Sequence, residues 1–254
     1  MQTGRAEYSE HVLLRAGAVD FTGRWRPGAI LESMQDLATR HAELLGFGRA
    51  AMLERNVIWI LSRTHLRMQT YPMMDEEVVA HTWPGVPNRF FFPRHFLFTR
   101  PDGAALGAAS SLWLVLELGA RAILPPSKCG FAFPDTSGLT PPLPAPERVS
   151  RVEGEAARGV RVARYTDLDI NHHVNNTRYA DWVCDALPLE VLRAHCVENL
   201  LLNYAKEVLP GQAVHHSLVM DGERFSMAGE SEDGAQTFFE AGGTLAPWHS
   251  DRRV

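Results

Sequence analysis

The apolar positions of the chain repeat one order of elements twice. Residues 27–46 have apolar side chains at helix spacing, with Pro27 at the start and Gly46 at the end. Residues 176–187 show the same spacing again. Each predicted helix is followed by strand-like runs, at 57–68, 78–83, 89–99 and 104–118 in the first half and at 196–208, 213–220, 224–230 and 236–245 in the second. One helix followed by several meandering strands, twice, predicts two α+β units packed as a pseudo-dimer.

The segment between the two halves is rich in proline. Residues 124–148 contain seven prolines, a density that disfavours regular structure and is typical of an extended linker. We therefore predict an N-terminal unit at 1–128, a proline-rich linker at 129–155 and a C-terminal unit at 156–254.

Charge and composition exclude some classes of function. The formal net charge of −5 argues against general nucleic-acid affinity, which depends on a basic surface. No run approaches the roughly 20 apolar residues of a membrane helix, and residues 1–7 lack the apolar core of a secretory signal. Cys129, Cys184 and Cys196 have no short metal or redox spacing. We therefore expect reduced thiols in a cytoplasmic protein with no metal or other cofactor.

Candidate chemistry is concentrated in residues 169–176, just before the second predicted helix. If this segment is extended, Asp169, Asn171 and His173 point to one face, since strand side chains alternate. A carboxylate or amide that orients an imidazole is a recurring arrangement for activating water or a nucleophile. The residues alone leave a structural interpretation open, with turn formers, a hydrogen-bonded histidine, and Asn175 or Asn176 as the helix N-cap.

Two further features have both a functional and a structural interpretation. The N–H groups of the helix start, at Val174, Asn175 and Asn176, can stabilise an oxyanion. Glu207 ends a predicted strand, where it is either a second general base or a solvated charge.

The clearest resemblance to a known family lies in residues 167–179, which read DLDINHHVNNTRY. This run resembles the signature of the acyl-[acyl-carrier-protein] thioesterases, the family that includes the plant FatA and FatB enzymes. The family motif is approximately DLDxNxHVNNxxY, and each fixed position is present. Further segments that resemble the family are 59–63, 71–72, 81–83, 109–113 and 204–207. The similarity covers nearly the whole chain.

The resemblance implies a double hotdog fold, in which each half wraps an antiparallel sheet around one long helix. It implies hydrolysis of a fatty acyl thioester to free fatty acid and carrier protein by a bacterial type of enzyme. The matching positions give catalytic roles to Asp169, Asn171, His173 and Glu207. The family's acidic residue is often followed by a cysteine, but this chain has Val208 there. We therefore expect water as the nucleophile, activated by Glu207 and His173.

The first half has no counterpart of the acid–amide–imidazole pattern, since residues 20–27 read DFTGRWRP. We expect one active site, with the first half providing the acyl-chain pocket. The candidate pocket walls are Trp25, Ile30, Met34, Leu37, Trp59 and Leu61. The expected partner is an acidic acyl carrier protein with a phosphopantetheine-linked chain. The candidate docking residues are Arg24, Arg26, Arg89, Arg94, Arg161 and Arg164.

Three alternatives keep the same fold: an acyl-CoA thioesterase, a dehydratase for hydroxyacyl thioesters, and a non-catalytic acyl-binding protein. The motif together with Glu207 does not favour dehydration, and the four polar positions argue against a purely binding role. The chain is expected to be a monomer or a homodimer. Its preference for chain length and saturation depends on pocket depth, which the sequence does not reveal.

Overall fold

The predicted order of helix and strands appears twice in the computed structural model, which describes residues 6–248. The extreme ends of the two predicted units, at 1–5 and 249–254, lie outside the described residues, as does most of the segment tested for a secretory signal. The helices are α1 Pro27–Leu44, α2 Arg49–Glu54, α3 Pro126–Cys129, α4 Arg178–Ala186 and α5 Leu189–Ala194. The strands are β1 Tyr8–Leu13, β2 Val57–Met68, β3 Glu77–Pro84, β4 Phe92–Thr99, β5 Ala105–Glu117, β6 Ala122–Leu124, β7 Ala156–Val162, β8 His195–Tyr204, β9 Ala213–Asp221, β10 Arg224–Glu230 and β11 Thr237–Pro247.

Within residues 6–248, none of the helices has the length and hydropathy that a membrane-spanning segment requires.

The strands of the two halves join in one antiparallel sheet. Their order is β1-β3-β4-β5-β2-β8-β11-β10-β9-β7, with β6 beside β5. The central strands β2 and β8 pair around His65 and Leu201, and we call this contact the seam. The order of strands outwards from the seam is equivalent in both directions, and β2 and β8 share an irregularity. Each skips one residue in pairing with its outer neighbour, between Leu61 and Arg63 in β2 and at Glu198 in β8. A pseudo-twofold axis at the seam therefore relates the halves.

The helices α1 and α4 pack against each other as well as against the sheet. α1 has 18 residues and α4 has nine, so the long helix expected in each half is present only in the first. α4 ends at Ala186 because Pro188 follows closely and cannot continue the helix. Where the helices meet, Arg26 Nη1 lies 2.5 Å from Asp181 Oδ1. A Cβ at Gly28 would overlap the Asp181 carboxylate, so a larger residue here must displace the group that pairs with Arg26. One hydrophobic core extends through both halves.

The linker crosses the face of the sheet opposite the helices, and we call residues 143–152 the strap. The Ser110 hydroxyl donates to the Pro144 carbonyl at 2.8 Å, and the Val152 N–H donates to the Ser226 hydroxyl at 2.8 Å. Both serines follow a core residue in their strands and therefore point to the opposite face. The strap thus fastens the first half to the second from outside.

The prediction that residues 124–148 lack regular structure is wrong at their beginning. α3 forms at Pro126–Cys129, with a proline in its first turn, where the missing N–H costs no intrahelical hydrogen bond.

Candidate active site

The polar residues of 169–173 come together through a turn, and not through the extended strand that their alternation suggests. The Asp169 N–H donates to the His173 carbonyl at 3.0 Å, and the His172 N–H donates to the Asp169 carbonyl at 3.1 Å. His172 has a φ of 62°, in the left-handed region. The Asp169 carboxylate accepts hydrogen bonds from the Asn171 N–H at 2.8 Å and from Asn171 Nδ2 at 3.3 Å. We call residues 169–173 the Asp169 turn.

Two oxygen atoms orient His173. Its Nδ1 lies 3.2 Å from the Val174 carbonyl oxygen and 3.7 Å from Asp169 Oδ1. Both neighbours are acceptors, so Nδ1 carries the proton in the neutral ring and Nε2 keeps its lone pair available. An imidazole in this state can accept a proton from a water molecule.

Glu207 approaches the Asp169 turn on the loop after β8. The Val174 N–H donates to the Val208 carbonyl at 2.9 Å, which attaches this loop to the turn. Burial raises the pKa of the Tyr179 hydroxyl, and the charges of Asp169 and Glu207 raise it further. Both carboxylates therefore lie within electrostatic range of one buried hydroxyl. The Glu207 side chain itself is exposed to solvent.

The helix after the Asp169 turn begins later than the sequence suggests. α4 starts at Arg178, with Thr177 at the N-cap rather than Asn175 or Asn176. Asn175 instead accepts the Thr177 N–H with its side-chain Oδ1, at 3.0 Å.

The prediction that backbone N–H groups from Val174 to Asn176 form the oxyanion site is wrong for the first two. The Val174 N–H is already donated to the Val208 carbonyl, and the Asn175 N–H donates to the Asp167 carbonyl at 2.8 Å. Asn176 lies in the wall of the cavity described next.

A cavity lies between α1, the sheet and the start of α4. Its volume is about 30 Å³, room for about one water molecule. The lining residues are Leu31, Met34, Gln35, Leu61, Thr64, Phe96, Ser111 and Trp113 from the first half, and Asn176, Thr177 and Tyr204 from the second. Largely apolar walls from one half thus meet the polar helix start of the other.

Two of the six predicted pocket residues, Met34 and Leu61, line this cavity. Trp25, Ile30 and Leu37 do not line it, although they belong to the same buried core as Met34.

Trp59 is also absent from the cavity wall. It packs in a separate aromatic cluster, with its ring centroid 5.0 Å from that of Phe92 and 5.5 Å from that of Phe131. Phe131 comes from the linker, whose path over the sheet the hydrophobic pattern does not indicate.

Tyr204 is a lining residue that sequence reasoning missed. Its hydroxyl donates to the Asn176 carbonyl at 3.2 Å, and the Thr64 side chain hydrogen-bonds to the Tyr204 oxygen. This chain of contacts connects β2 of the first half to the start of α4. The one available signal is that Tyr204 directly precedes the segment that carries Glu207.

The first half contains a turn with the same hydrogen bonds as the Asp169 turn. The Asp20 N–H donates to the Arg24 carbonyl at 2.8 Å. The Thr22 N–H and hydroxyl donate to Asp20 Oδ1 at 2.8 and 2.6 Å. Thr22 therefore stands where the second half has its amide, and Arg24 stands where it has its imidazole.

At this turn, side chains of the first half bind the backbone of α5 and β8 in the second half. Arg24 is only 2% exposed and donates to the carbonyls of Leu192 and His195, at 2.6 and 2.8 Å. The Tyr71 hydroxyl donates to the Val197 carbonyl at 2.7 Å. Arg24 and Tyr71 thus occupy the space between the halves, and we call them the plug.

The pseudo-twofold axis relates the plug to the candidate catalytic residues. The Trp25 N–H donates to the carbonyl of Pro72, the residue after Tyr71. In the same way, the Val174 N–H donates to the carbonyl of Val208, the residue after Glu207. Tyr71 therefore corresponds to Glu207, as Arg24 corresponds to His173. Where the first half has two long side chains that close the seam, the second has a shorter imidazole and an exposed carboxylate. The expectation of one site rather than two therefore stays a prediction, and the two halves do differ at these positions.

The predicted docking patch is wrong for Arg24 and Arg94, because both are buried. Arg94 is 9% exposed, and its Nη1 lies 3.2 Å from His41 Nδ1 and 3.2 Å from the Thr82 hydroxyl. Burial lowers the pKa of Arg94 to about 10.

The other four arginines divide into paired and exposed residues. Arg26 and Arg161 form ion pairs with Asp181 and Asp185, both in α4. Arg89 and Arg164 are exposed.

Family models match both halves of the chain. The model described as the acyl-ACP thioesterase N-terminal domain matches residues 5–125, and that described as the acyl-ACP thioesterase C-terminal domain matches residues 151–242. Curated relatives include the chloroplastic dodecanoyl-[acyl-carrier-protein] hydrolase of Cinnamomum camphora, 28% identical over 70% of this chain and 50% of the relative. The chloroplastic oleoyl-acyl carrier protein thioesterase 1 of Arabidopsis thaliana is 24% identical over 90% of this chain and 68% of the relative. The chain spans about half the length of the first of these relatives.

Solved structures share the fold. An acyl-ACP thioesterase from Bacteroides thetaiotaomicron superposes with a TM-score of 0.86 at 24% identity, covering 97% of this chain and 100% of that one. The 12:0-ACP thioesterase of Umbellularia californica gives a TM-score of 0.80 at 21% identity, covering 96% and 98%. The predicted α+β class with two tandem hotdog units is confirmed.

Proposed function

The chain belongs to the acyl-ACP thioesterase family, and from that premise we propose that it hydrolyses the thioester of a fatty acyl-[acyl-carrier-protein]. The products are a free fatty acid and the carrier protein with its phosphopantetheine thiol. One observation supports this proposal most strongly. The polar Asp169 turn leads into α4, and the start of α4 lies in the wall of a cavity whose other walls are mostly apolar.

In the proposed mechanism a water molecule attacks the thioester carbonyl carbon. His173 Nε2 and Glu207 position the water and accept its proton. Asn171 orients the water or polarises the carbonyl, and Asp169 holds both Asn171 and the imidazole. The tetrahedral intermediate then collapses, the thiolate leaves, and the accepted proton is returned to sulfur. The residue after Glu207 is Val208, so a thiol nucleophile has no place at that position.

The two units, at 1–128 and 156–254, contribute different parts of the proposed site. The first provides the acyl-chain pocket through Leu31, Met34 and Phe96, and the second provides the polar residues. The plug explains why the polar residues are needed only once, since its side chains fill the equivalent space.

We propose that the partner is an acyl carrier protein in the cytoplasm, and that the chain acts as a monomer or a homodimer. Arg164 is exposed and lies three residues before the DLD motif begins at Asp167. Its charge is suited to an acidic carrier or to the phosphate of the prosthetic group. Arg89 is exposed in the turn between β3 and β4 and is the docking candidate from the first half.

Product analysis tests the proposal. The purified chain is incubated with carrier proteins loaded with acyl chains from C8 to C18, and with the matching acyl-CoA thioesters. We expect equal amounts of free fatty acid and free thiol, with a higher kcat/KM for the carrier-bound substrates. Faster turnover of CoA substrates would favour the acyl-CoA alternative. No release from any substrate would refute hydrolysis.

A further inference from the structure

The Thr177 hydroxyl is a buried polar group without a partner. Thr177 is 3% exposed, and within residues 6–248 its Oγ1 has no hydrogen-bond partner. It lies in the wall of the cavity between α1 and α4. Buried hydroxyls are normally hydrogen-bonded, because an unpaired one loses its water without compensation. Because Thr177 belongs to the cavity wall, a molecule that enters the cavity could supply the missing contact.

The position of Thr177 in the helix makes its lack of a partner more informative. Threonine at an N-cap usually accepts an N–H of the first helical turn with its side chain. Thr177 has φ and ψ of −70° and −28°, which is helical rather than extended, and its side chain makes no capping bond. Asn175 accepts the Thr177 N–H instead. The hydroxyl is therefore released from its ordinary structural role.

The neighbouring hydroxyls of the cavity each have at least one hydrogen-bond partner. Tyr204 donates to the Asn176 carbonyl, and Thr64 is bonded to Tyr204. The Ser111 hydroxyl accepts the Trp113 Nε1–H at 2.9 Å. Thr177 thus has an unspent hydrogen-bonding group at the place where the mostly apolar walls meet the start of α4.

Two of the three amide groups that the sequence assigned to the oxyanion, those of Val174 and Asn175, are also engaged. The N–H groups of Val174 and Asn175 are donated within the fold. An oxyanion formed beside the Asp169 turn therefore needs a donor other than these two amides.

We propose that the Thr177 hydroxyl is that donor: it hydrogen-bonds to the thioester carbonyl oxygen of the bound substrate and stabilises the negative charge that develops there. This rests on the proposed hydrolysis. As water attacks the carbonyl carbon, the electron pair of the C=O double bond moves to oxygen, and Thr177 keeps its proton throughout. The proton of the water goes to His173 or Glu207, and collapse of the intermediate breaks the C–S bond. Thr177 is thereby a catalytic residue that the DLDxNxHVNNxxY pattern does not specify.

The test compares Thr177→Val with Thr177→Ser. Valine keeps the shape and removes the hydroxyl, and serine restores it. We expect Thr177→Val to lower kcat by about 100-fold with KM nearly unchanged, the size reported for loss of one oxyanion donor. Thr177→Ser should recover most of kcat. The melting temperature of Thr177→Val should equal or exceed that of the wild type, because no hydrogen bond is lost and an unpaired polar group is removed.

Thr82→Val is the matched control. Thr82 is fully buried in the first half, and its hydroxyl donates to the His95 carbonyl at 3.0 Å. This variant should lower the melting temperature and leave kcat unchanged, the reverse of the result for Thr177.

Three results would overturn the role of Thr177. The first is a decrease in kcat of Thr177→Val of less than about 3-fold, far smaller than the ~100-fold expected for a lost donor, and the second is an increase in KM alone. The third is a decrease in kcat that Thr177→Ser does not recover and that accompanies a lower melting temperature. A wild-type chain that hydrolyses no acyl thioester would refute the proposed function and this role with it. Failure of the role alone leaves wild-type turnover intact, so the two failures are distinguishable.

Discussion

Replacing Arg24 by Met tests whether the plug holds the two halves together. The substitution keeps an unbranched side chain of similar length and removes the charge. It leaves the Leu192 and His195 carbonyls without donors, and it breaks the 3.3 Å ion pair with Asp20. Hydrogen bonds to charged groups contribute about 1.5–3 kcal/mol each, and removal of one partner of a buried pair costs about 3–5 kcal/mol. We expect the free energy of unfolding to decrease by about 3–5 kcal/mol.

Urea denaturation measures this change, and thermal unfolding provides a second reading. For a chain of this size about 3–5 kcal/mol corresponds to a decrease of about 10 °C in melting temperature. Arg15→Met is the matched control, because Arg15 pairs with Asp75 at 3.4 Å while the two side chains are 72% and 68% exposed. It should change stability by less than about 1 kcal/mol. An Arg24→Met variant as stable as the control would refute the structural role of the plug.

Three further predictions concern the cavity, the carrier and pH. Met34→Ala should extend the cavity and shift the kcat/KM profile towards longer acyl chains. Met52 is also buried but lies outside the cavity, so Met52→Ala should lower the free energy of unfolding by about 2–5 kcal/mol, as Met34→Ala does, without that shift. Unchanged profiles for both variants would contradict the pocket assignment. Arg164→Glu and added salt should each lower kcat/KM for acyl carrier proteins more than for acyl-CoA, and equal effects on both substrates would argue against docking through Arg164. Burial lowers the pKa values of His65 and His95, so that the unfolded chain binds more protons below about pH 6.5, and stability should fall as the pH decreases from 7.5 to 5.5. Urea midpoints test this, and equal midpoints at the two pH values would contradict it.

The repeat and its elements follow from the hydrophobic pattern because each element buries one face. Helix spacing at 27–46 and 176–187 predicts α1 and α4 to within two residues of each boundary. The pattern also identifies Met34 and Leu61, which line the cavity. It does not distinguish residues that line the cavity from residues of the core, since Ile30 and Leu37 show the same helix spacing and pack in the core.

Features that depend on the folded backbone or on contacts distant in the sequence could not be predicted. The alternation of Asp169, Asn171 and His173 resembles that of a strand, but backbone hydrogen bonds within 169–173 close a turn. Arg24 has the charge of a surface residue, and only the seam between the halves explains its burial. Thr177 gives no signal in the sequence beyond its place before a helix, because its lack of a partner is a property of the packed site.

In the proposed mechanism the Asp169 turn and Glu207 activate water for thioester hydrolysis. The most direct measurement is kcat of His173→Ala and Glu207→Gln on the best acyl carrier protein substrate, with melting temperatures to establish that both variants are folded. We predict that each folded variant has kcat at least about 100-fold below the wild type, as expected for a lost acid–base group. Near-normal kcat in either variant would contradict the assignment of that residue, and near-normal kcat in both would contradict the account of the site.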